Sequence, residues 1–278
     1  MQNLRVDLHI HTAASDGTWT PLELVKQVKS VGIEVFAISD HDAIDNVEET
    51  EALAKKEGLH FVPSVEISSS YQGQLFHILG YRSDIKNAAL LKFLKENQNR
   101  FDEANQHALN FLVEQGHSVD FDAFKKYSYD KRRGGWRLLN FVIDSGICSN
   151  IDEFFSKLFA GHHDRLFPKF PDPEEAIKVI QKAGGIPIFA HPGMSFKNLS
   201  PAEQKAAIER LLESGVKGME CYSTYHKPDA IKCYLAICKE KNLLITGGSD
   251  CHGSLIPARK LGHPEVYIKD LNLGAVFT

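Results

Sequence analysis

The 278-residue chain has no apolar run approaching the ~20 residues needed to cross a bilayer as a helix, so a helical membrane span is excluded. It also lacks a basic stretch followed by an apolar secretion signal, and the expected location is the cytoplasm. Cysteine is scarce. Cys148, Cys221, Cys233, Cys238 and Cys251 are odd in number and include no CxxC pair, which argues against a disulfide framework and for reduced packing thiols. A dominant charge is missing as well: 32 Lys and Arg against 36 Asp and Glu leave a net charge of -4, with no general attraction for duplex DNA or an anionic membrane. There are no internal repeats or low-complexity segments. What is present is an ordinary globular composition, 43% hydrophobic and 24% charged, in a length suited to one α/β barrel or to a core carrying a smaller insertion.

Strands and helices alternate through the first eighty residues, with strands over 4–10, 34–38, 60–67 and 75–80 and helices over 21–31 and 47–57. Thr20-Pro21-Leu22-Glu23 is a helix start, with a hydroxyl cap, proline at the first helical position and an acid in the first turn. Such alternation predicts a parallel sheet, open or closed into a barrel. Between 85 and 171 the residues favour helix, at 88–114, 121–126, 137–144 and 151–159, with no convincing strand. Alternation then resumes: helices over 173–183, 201–213 and 228–241, strands over 186–190, 216–221 and 243–246, and a last strand over 265–268. The expected organisation is a core of residues 1–84 and 172–278 interrupted by a helical insertion, 85–171.

Asp7-Leu8-His9-Ile10-His11 puts a carboxylate and two imidazoles on one face of a strand, because strand side chains alternate with period two. Two chance histidines on a solvated edge strand would give the same pattern, so the other strands decide. They run into Asp40-His41, Glu66, His77, His191, and Asp250 with His252. Carboxyl ends of barrel strands build one mouth, so these residues are expected to converge there. Singly, His77 reads as a core histidine, His191-Pro192-Gly193 as a turn signal and Glu66 as an ion-pair partner. Jointly they point to a metal site.

The set Asp7-x-His9-x-His11, Ser15-Asp16-Gly17, Ser39-Asp40-His41-Asp42, Val65-Glu66, His77-x-x-Gly80, Ala190-His191-Pro192-Gly193 and Gly248-Ser249-Asp250-Cys251-His252 resembles the PHP superfamily, named for polymerase and histidinol phosphatase. The resemblance covers both halves of the core. It implies an α/β fold, a distorted (β/α)7 TIM-like barrel with an inserted helical lid, and two to three divalent ions (Mn, Zn or Fe) in a trinuclear centre. It further implies one ion on His9, His11, Glu66 and Asp250, a second on bridging Glu66 with His77 and His191, and a third on Asp16, His41 and His252. Many relatives carry histidine where this chain has Asp16, a harder ligand that suits manganese or iron.

Three divalent ions against Asp16, Glu66 and Asp250 leave a net positive pocket, suited to a phosphate dianion. Metal binding lowers the pKa of water from ~15.7 towards ~7, so phosphoester hydrolysis by a metal-bridging hydroxide is the expected chemistry, with Glu66 and Asp250 at the reacting centre. Asp7, Asp40 and Asp42 read either as groups that orient the bound imidazoles or as turn residues. His226 reads either as the acid for the leaving group or as a surface loop histidine. In the insertion, Arg133, Arg137 and Lys169 are the expected phosphate-binding cations, near Tyr127, Tyr129 and Trp136; for Lys131, Arg132 and Arg133 a solvated charge run reads equally well. The best-fitting branch, stand-alone phosphoesterases with a helical lid, implies a small phosphorylated substrate, a nucleoside 3′,5′-bisphosphate or the 5′ end of short RNA. The alternatives are a histidinol-phosphate phosphatase and a non-catalytic metal-binding module serving a polymerase.

Overall fold

A computed structural model describes residues 3–277; positions 1, 2 and 278, at the outer edges of the expected core halves, lie outside them. The chain runs β1 (Arg5–Ile10), α1 (Pro21–Ser30), β2 (Val35–Ile38), α2 (Val47–Glu57), β3 (His60–Pro63), β4 (Glu66–Tyr71) and β5 (Gln74–Tyr81). Helices follow: α3 (Ala88–Glu114), α4 (Phe121–Lys126), α5 (Arg137–Asp144) and the short α6 (Ile151–Glu153), which continues as one π turn over Phe154–Leu158. The remainder is α7 (Pro173–Lys182), β6 (Ile186–Phe189), α8 (Pro192–Ser195), α9 (Pro201–Glu213), β7 (Gly218–Tyr222), α10 (Pro228–Lys241), β8 (Leu244–Gly247) and β9 (Val266–Tyr267). Among the described residues no helix is long and apolar enough to cross a membrane.

Local chemistry sets the helix starts. Thr20 accepts from the Glu23 N–H while the Glu23 carboxylate takes the Thr20 N–H, a closed capping box, and Asp172 with Glu175 and Ser200 with Glu203 repeat it at α7 and α9. The strands depart from a simple parallel reading. They form a four-stranded sheet ordered β3-β2-β1-β9 and a five-stranded sheet ordered β4-β5-β6-β7-β8. The strand expected over 60–67 is two strands, broken at Ser64-Val65, and β4 folds back on β5 through Gln72-Gly73, both at positive φ (49° and 74°). Consequently β5 is antiparallel to both β4 and β6. No continuous ladder closes the sheets into a barrel among the described residues; single bridges, Ile10 to Cys251 and His41 to Glu66, join them at two seams.

Leu8, Val35, Ala37, Leu79, Ile188 and Ala190 pack between the sheets, and the helices cover their outer faces. The helices between β5 and β6 bury a cluster of their own around Leu109, Leu112, Leu138, Val142, Phe154 and Phe159. Each such buried side chain is worth about 1.5–3 kcal/mol relative to exposure.

Candidate metal centre

The centre is built around Glu66. As the first residue of β4 it lies on the same sheet face as Ser68, which pairs across the hairpin with His77, so the Glu66 carboxylate and the His77 ring are diagonal neighbours. Glu66 Oε1 lies 3.1 Å from His77 Nδ1 and 2.8 Å from His191 Nε2; its Oε2 lies 3.1 Å from His41 Nδ1, 3.2 Å from His9 Nε2 and 3.3 Å from His11 Nε2. Asp250 Oδ1 sits 2.9 Å from His11 Nε2 and 3.5 Å from His9 Nε2, and Asp16 Oδ1 lies 3.3 Å from His252 Nε2. All nine expected donors therefore meet in one place. Their positions on the strands differ from expectation, since Glu66 opens β4 and His77 lies inside β5 rather than at a carboxyl end.

Three groups of donor atoms fall within 4.8 Å of one another: His9, His11, Glu66 and Asp250; His41, Glu66 and His77; and His11, Asp16, His41 and His252. His191 joins the middle group through Glu66 and through His77 Nδ1, 3.3 Å away, while His41 belongs to two groups. The cluster is buried except on one side, where His41 is 28% and Asp16 20% exposed. His9 Nε2, both His11 nitrogens, His41 Nδ1, Glu66 Oε2 and Asp250 Oδ1 are buried without a hydrogen-bond partner. Leaving so many polar atoms unsatisfied costs about 1–3 kcal/mol each. Divalent cations among them would take one ring nitrogen of each histidine and the free carboxylate oxygens, so this donor set fits metal ions.

The electrostatics agree. Burial pushes the His9 ring down, but Glu66, Glu220 and Asp250 outweigh it and hold His9 well above the usual imidazole range; burial is likewise outweighed at His11, by Asp250 and Glu66, to about 10. At His41 burial wins over Glu66 and Asp16, and the ring is held down to about 3. Burial would raise the carboxyls of Glu66 and Asp250, yet the rings around Glu66, and Arg259 with His9 beside Asp250, hold both well below the carboxylate range.

The fold pays for these positions in strain. His191, Asp42 and Asp250 are non-glycine residues at positive φ (25°, 47° and 51°), at about 1–3 kcal/mol each. Close approach demands Gly248, where a Cβ would lie 2.4 Å from His9 Cβ.

Asp7, Asp40 and Asp42 are buried here, but none bonds an imidazole. Asp7 accepts from the Ser249 and Gly262 N–H groups, Asp40 from Thr12 and Ser15, and Asp42 from the Ser68 N–H and Asn97 Nδ2. They hold the loops that carry the rings rather than the rings themselves. The carboxylate that does bond a ring is Glu220, fully buried on β7: Oε1 takes His9 Nδ1 at 3.0 Å and Oε2 takes the His191 N–H at 2.9 Å. A charged residue inside the apolar stretch Gly218-Met219-Glu220-Cys221 was its legible signal. Tyr225 and Arg259 also went unread: the Tyr225 hydroxyl and Arg259 Nη1 both donate to Asp250 Oδ2 at 2.8 Å.

Both ring nitrogens of His226 are engaged. The Gly193 N–H donates to its Nε2 and its Nδ1 donates to the Cys221 carbonyl, both at 2.9 Å, while burial lowers its pKa. The ring is a neutral clamp between the turn after β6 and the end of β7. The insertion's arginines are engaged elsewhere. Arg137 Nη2 donates to the Phe124 and Lys125 carbonyls at the end of α4, with its guanidinium 4.6 Å from the Phe124 ring centroid, because a helix end leaves carbonyls unsatisfied. Arg133 forms a forked pair with Asp144 at 2.7 and 2.8 Å, and Lys169 is exposed. What the insertion does deliver is backbone and amide contact: the Gly135 N–H donates to the Asp16 carbonyl at 2.8 Å, and Asn97 Nδ2 to Asp42 Oδ1 and the Ser68 carbonyl.

The PHP domain family matches residues 7–186. The chain belongs to that family. It is similar to the 5′-3′ exoribonuclease Rnm of Escherichia coli, 28% identical over 88% of this chain and 84% of that protein. It is also similar to the 3′,5′-nucleoside bisphosphate phosphatase of Chromobacterium violaceum, 28% identical over 94% of this chain and 91% of the relative. Among solved structures, an amidohydrolase from Chromobacterium violaceum with bound sulfate and no metal superposes with a TM-score of 0.78 at 25% identity, covering 93% of this chain and 90% of that one. A protein of Bifidobacterium adolescentis described as a metal-dependent phosphoesterase shares the fold, with a TM-score of 0.82 at 23% identity over 98% and 94% of the two chains.

Proposed function

We propose that this PHP protein is a metal-dependent phosphoesterase acting on nucleoside 3′,5′-bisphosphates, with the 5′ ends of short RNA as the second substrate class. The observation that carries the reading is the buried, unpartnered set of imidazole and carboxylate atoms gathered around Glu66. The 3′,5′-nucleoside bisphosphate phosphatase and the exoribonuclease it resembles over most of their length supply the substrate class. In the same reading the two sheets are a distorted barrel opened at its seams, residues 85–171 are a lid domain between core parts 1–84 and 172–278, and the protein is cytoplasmic.

His9, His11, Glu66 and Asp250 would hold one ion, Glu66 with His77 and His191 a second, and Asp16, His41 and His252 a third, with manganese, zinc or iron as candidates. When bound, such ions polarise a phosphoryl oxygen and acidify water. The chain's own residues supply the rest. Glu66, held ionised by the rings around it, is the central carboxylate within reach of His9, His11, His41, His77 and His191 and would be a ligand to the ions there. Glu220 fixes the His9 proton at Nδ1 and leaves Nε2 free as a ligand. His226 holds the turn that presents His191, and Asp7 and Asp40 hold the loops that present Asp250 and His11. The exposed edges of Asp16 and His41 form the side on which a substrate enters.

The test is phosphate release by manganese-loaded protein from adenosine 3′,5′-bisphosphate, a short 5′-phosphorylated RNA and histidinol phosphate. Release from the bisphosphate well above that from a nucleoside monophosphate is the expected result. No release from any of the three would overturn the hydrolase reading, and preference for histidinol phosphate would overturn the substrate assignment.

A further inference from the structure

With Arg133 and Arg137 engaged inside the insertion, a cation reaches the donor set from the loop between β8 and β9, where Arg259 meets Asp250. We infer that Arg259 recognises the phosphoryl group under attack, its outer N–H groups donating to a non-bridging phosphate oxygen while Nη1 stays on Asp250. This inference rests on the phosphoesterase reading and adds to it the residue that takes the anion.

Four contacts and exposures place it. Arg259 Nη1 donates to Asp250 Oδ2 at 2.8 Å, and the other oxygen of that carboxylate lies 2.9 Å from His11 Nε2, so the guanidinium is one carboxylate's width from the donor set. Nη1 also lies 3.3 Å from His252 Nδ1, beside the Asp16 end of the cluster. The guanidinium plane is held 5.0 Å from the centroid of the Tyr225 ring, whose hydroxyl shares Asp250 Oδ2, so the group is pinned from two sides. Finally, among the described residues its Nε and Nη2 make no hydrogen bond, and the side chain is 23% exposed.

A planar fork with one prong held and the others open matches a tetrahedral phosphate in a way a lysine ammonium does not. Ions held by the donor set would engage only part of the phosphoryl group, and charge on its remaining non-bridging oxygens is what a phosphoryl-transfer site must stabilise. Asp250 then has two tasks, holding an ion with Oδ1 and aiming Arg259 with Oδ2.

The experiment compares unaltered protein with Arg259→Ala and Arg259→Lys, all manganese-loaded, by metal content, by calorimetric titration with inorganic phosphate, and by kcat/KM on adenosine 3′,5′-bisphosphate. Expected are unchanged manganese content, phosphate affinity at least tenfold weaker in Arg259→Ala, and kcat/KM lower by about 10²-fold, with Arg259→Lys recovering only part of each. Phosphate affinity within twofold of the unaltered protein would overturn the inference. So would loss of manganese with phosphate affinity restored by excess metal, because Arg259 would then serve Asp250 alone. Should Arg259→Ala not fold, the phosphate titration of Arg259→Lys decides on the same criteria. If unaltered protein binds phosphate through Arg259 yet releases none from the bisphosphate, the substrate assignment falls and the inference stands; if it binds no phosphate at all, the inference falls.

Discussion

Replacing Glu220 by glutamine removes one charge and almost no volume, and tests what sets the His9 ring. In the native fold both Glu220 oxygens accept, one from His9 Nδ1–H and one from the His191 N–H. A glutamine has one accepting oxygen, so its amide NH2 must face one of two donors. Facing His9, it forces the proton to Nε2, the atom that points at Glu66 and Asp250 and would bind metal. Facing His191, it breaks the bond that holds the strained backbone at φ 25°. Loss of a carboxylate behind a metal-bound histidine typically weakens metal affinity 10- to 100-fold, or about 1.4–2.7 kcal/mol. At saturating manganese this is lost from the metal-induced stabilisation, which for a chain of this size means about 3–10 °C less rise in Tm on adding metal. Differential scanning fluorimetry with and without manganese, with calorimetric metal titration, measures both. A Glu220→Gln protein with wild-type manganese affinity would show that Glu220 does not govern His9.

Further outcomes follow from other contacts. Asn97→Ala removes the amide that bonds both buried Asp42 and the Ser68 carbonyl, and is expected to cost about 2–4 kcal/mol in urea unfolding; a change under 0.5 kcal/mol would contradict the coupling of α3 to the turn carrying His41. The carboxylates around His9 and His11 raise both rings above the ordinary imidazole range, His11 to about 10, so they keep their protons to higher pH than a free imidazole; manganese uptake should release protons and apparent affinity should rise with pH. Binding enthalpies identical across buffers of different ionisation enthalpy would refute this. His226 has a folded pKa held below its unfolded ~6.5, so the stability its neutral ring contributes is complete above that pH and lost as pH falls. His226→Gln keeps an acceptor for Gly193 and a donor for Cys221 without titrating; the wild type should lose stability relative to it between pH 7 and pH 5, and a pH-independent difference would sink the clamp assignment.

The donors were legible because core packing seldom puts imidazoles and carboxylates at the ends of apolar runs, and the run of helices between β5 and β6 was legible because the alternation stopped for some eighty residues. What failed was partner choice at a distance. Asp7, Asp40 and Asp42 are next to ligands in sequence, which left ring-orienting and turn roles equally open; in the fold their short side chains reach backbone N–H groups first. Arg137 had the right charge, but the open carbonyls at the end of α4 were nearer than any phosphate. The split of 60–67 into two strands was hidden because Ser64-Val65 carries no glycine, although Gln72-Gly73 was a readable hairpin turn. Arg259 and Tyr225 lie in loops, where no periodicity singles out a residue. Glu220 was detectable in principle as a charged residue within an apolar strand, and Asn97 as a polar residue on the mostly apolar buried face of α3.

The two seams between the sheets carry a consequence for how the protein comes into being. His9 and His11 lie on one sheet and Glu66 on the other, and Asp250 and His252 arrive about 240 positions later in the chain. A ribosome emits these two histidines long before their last partners, so every chain still short of the β8–β9 loop lacks a finished centre. Completion of the nine-donor set is thereby deferred until that loop has been made.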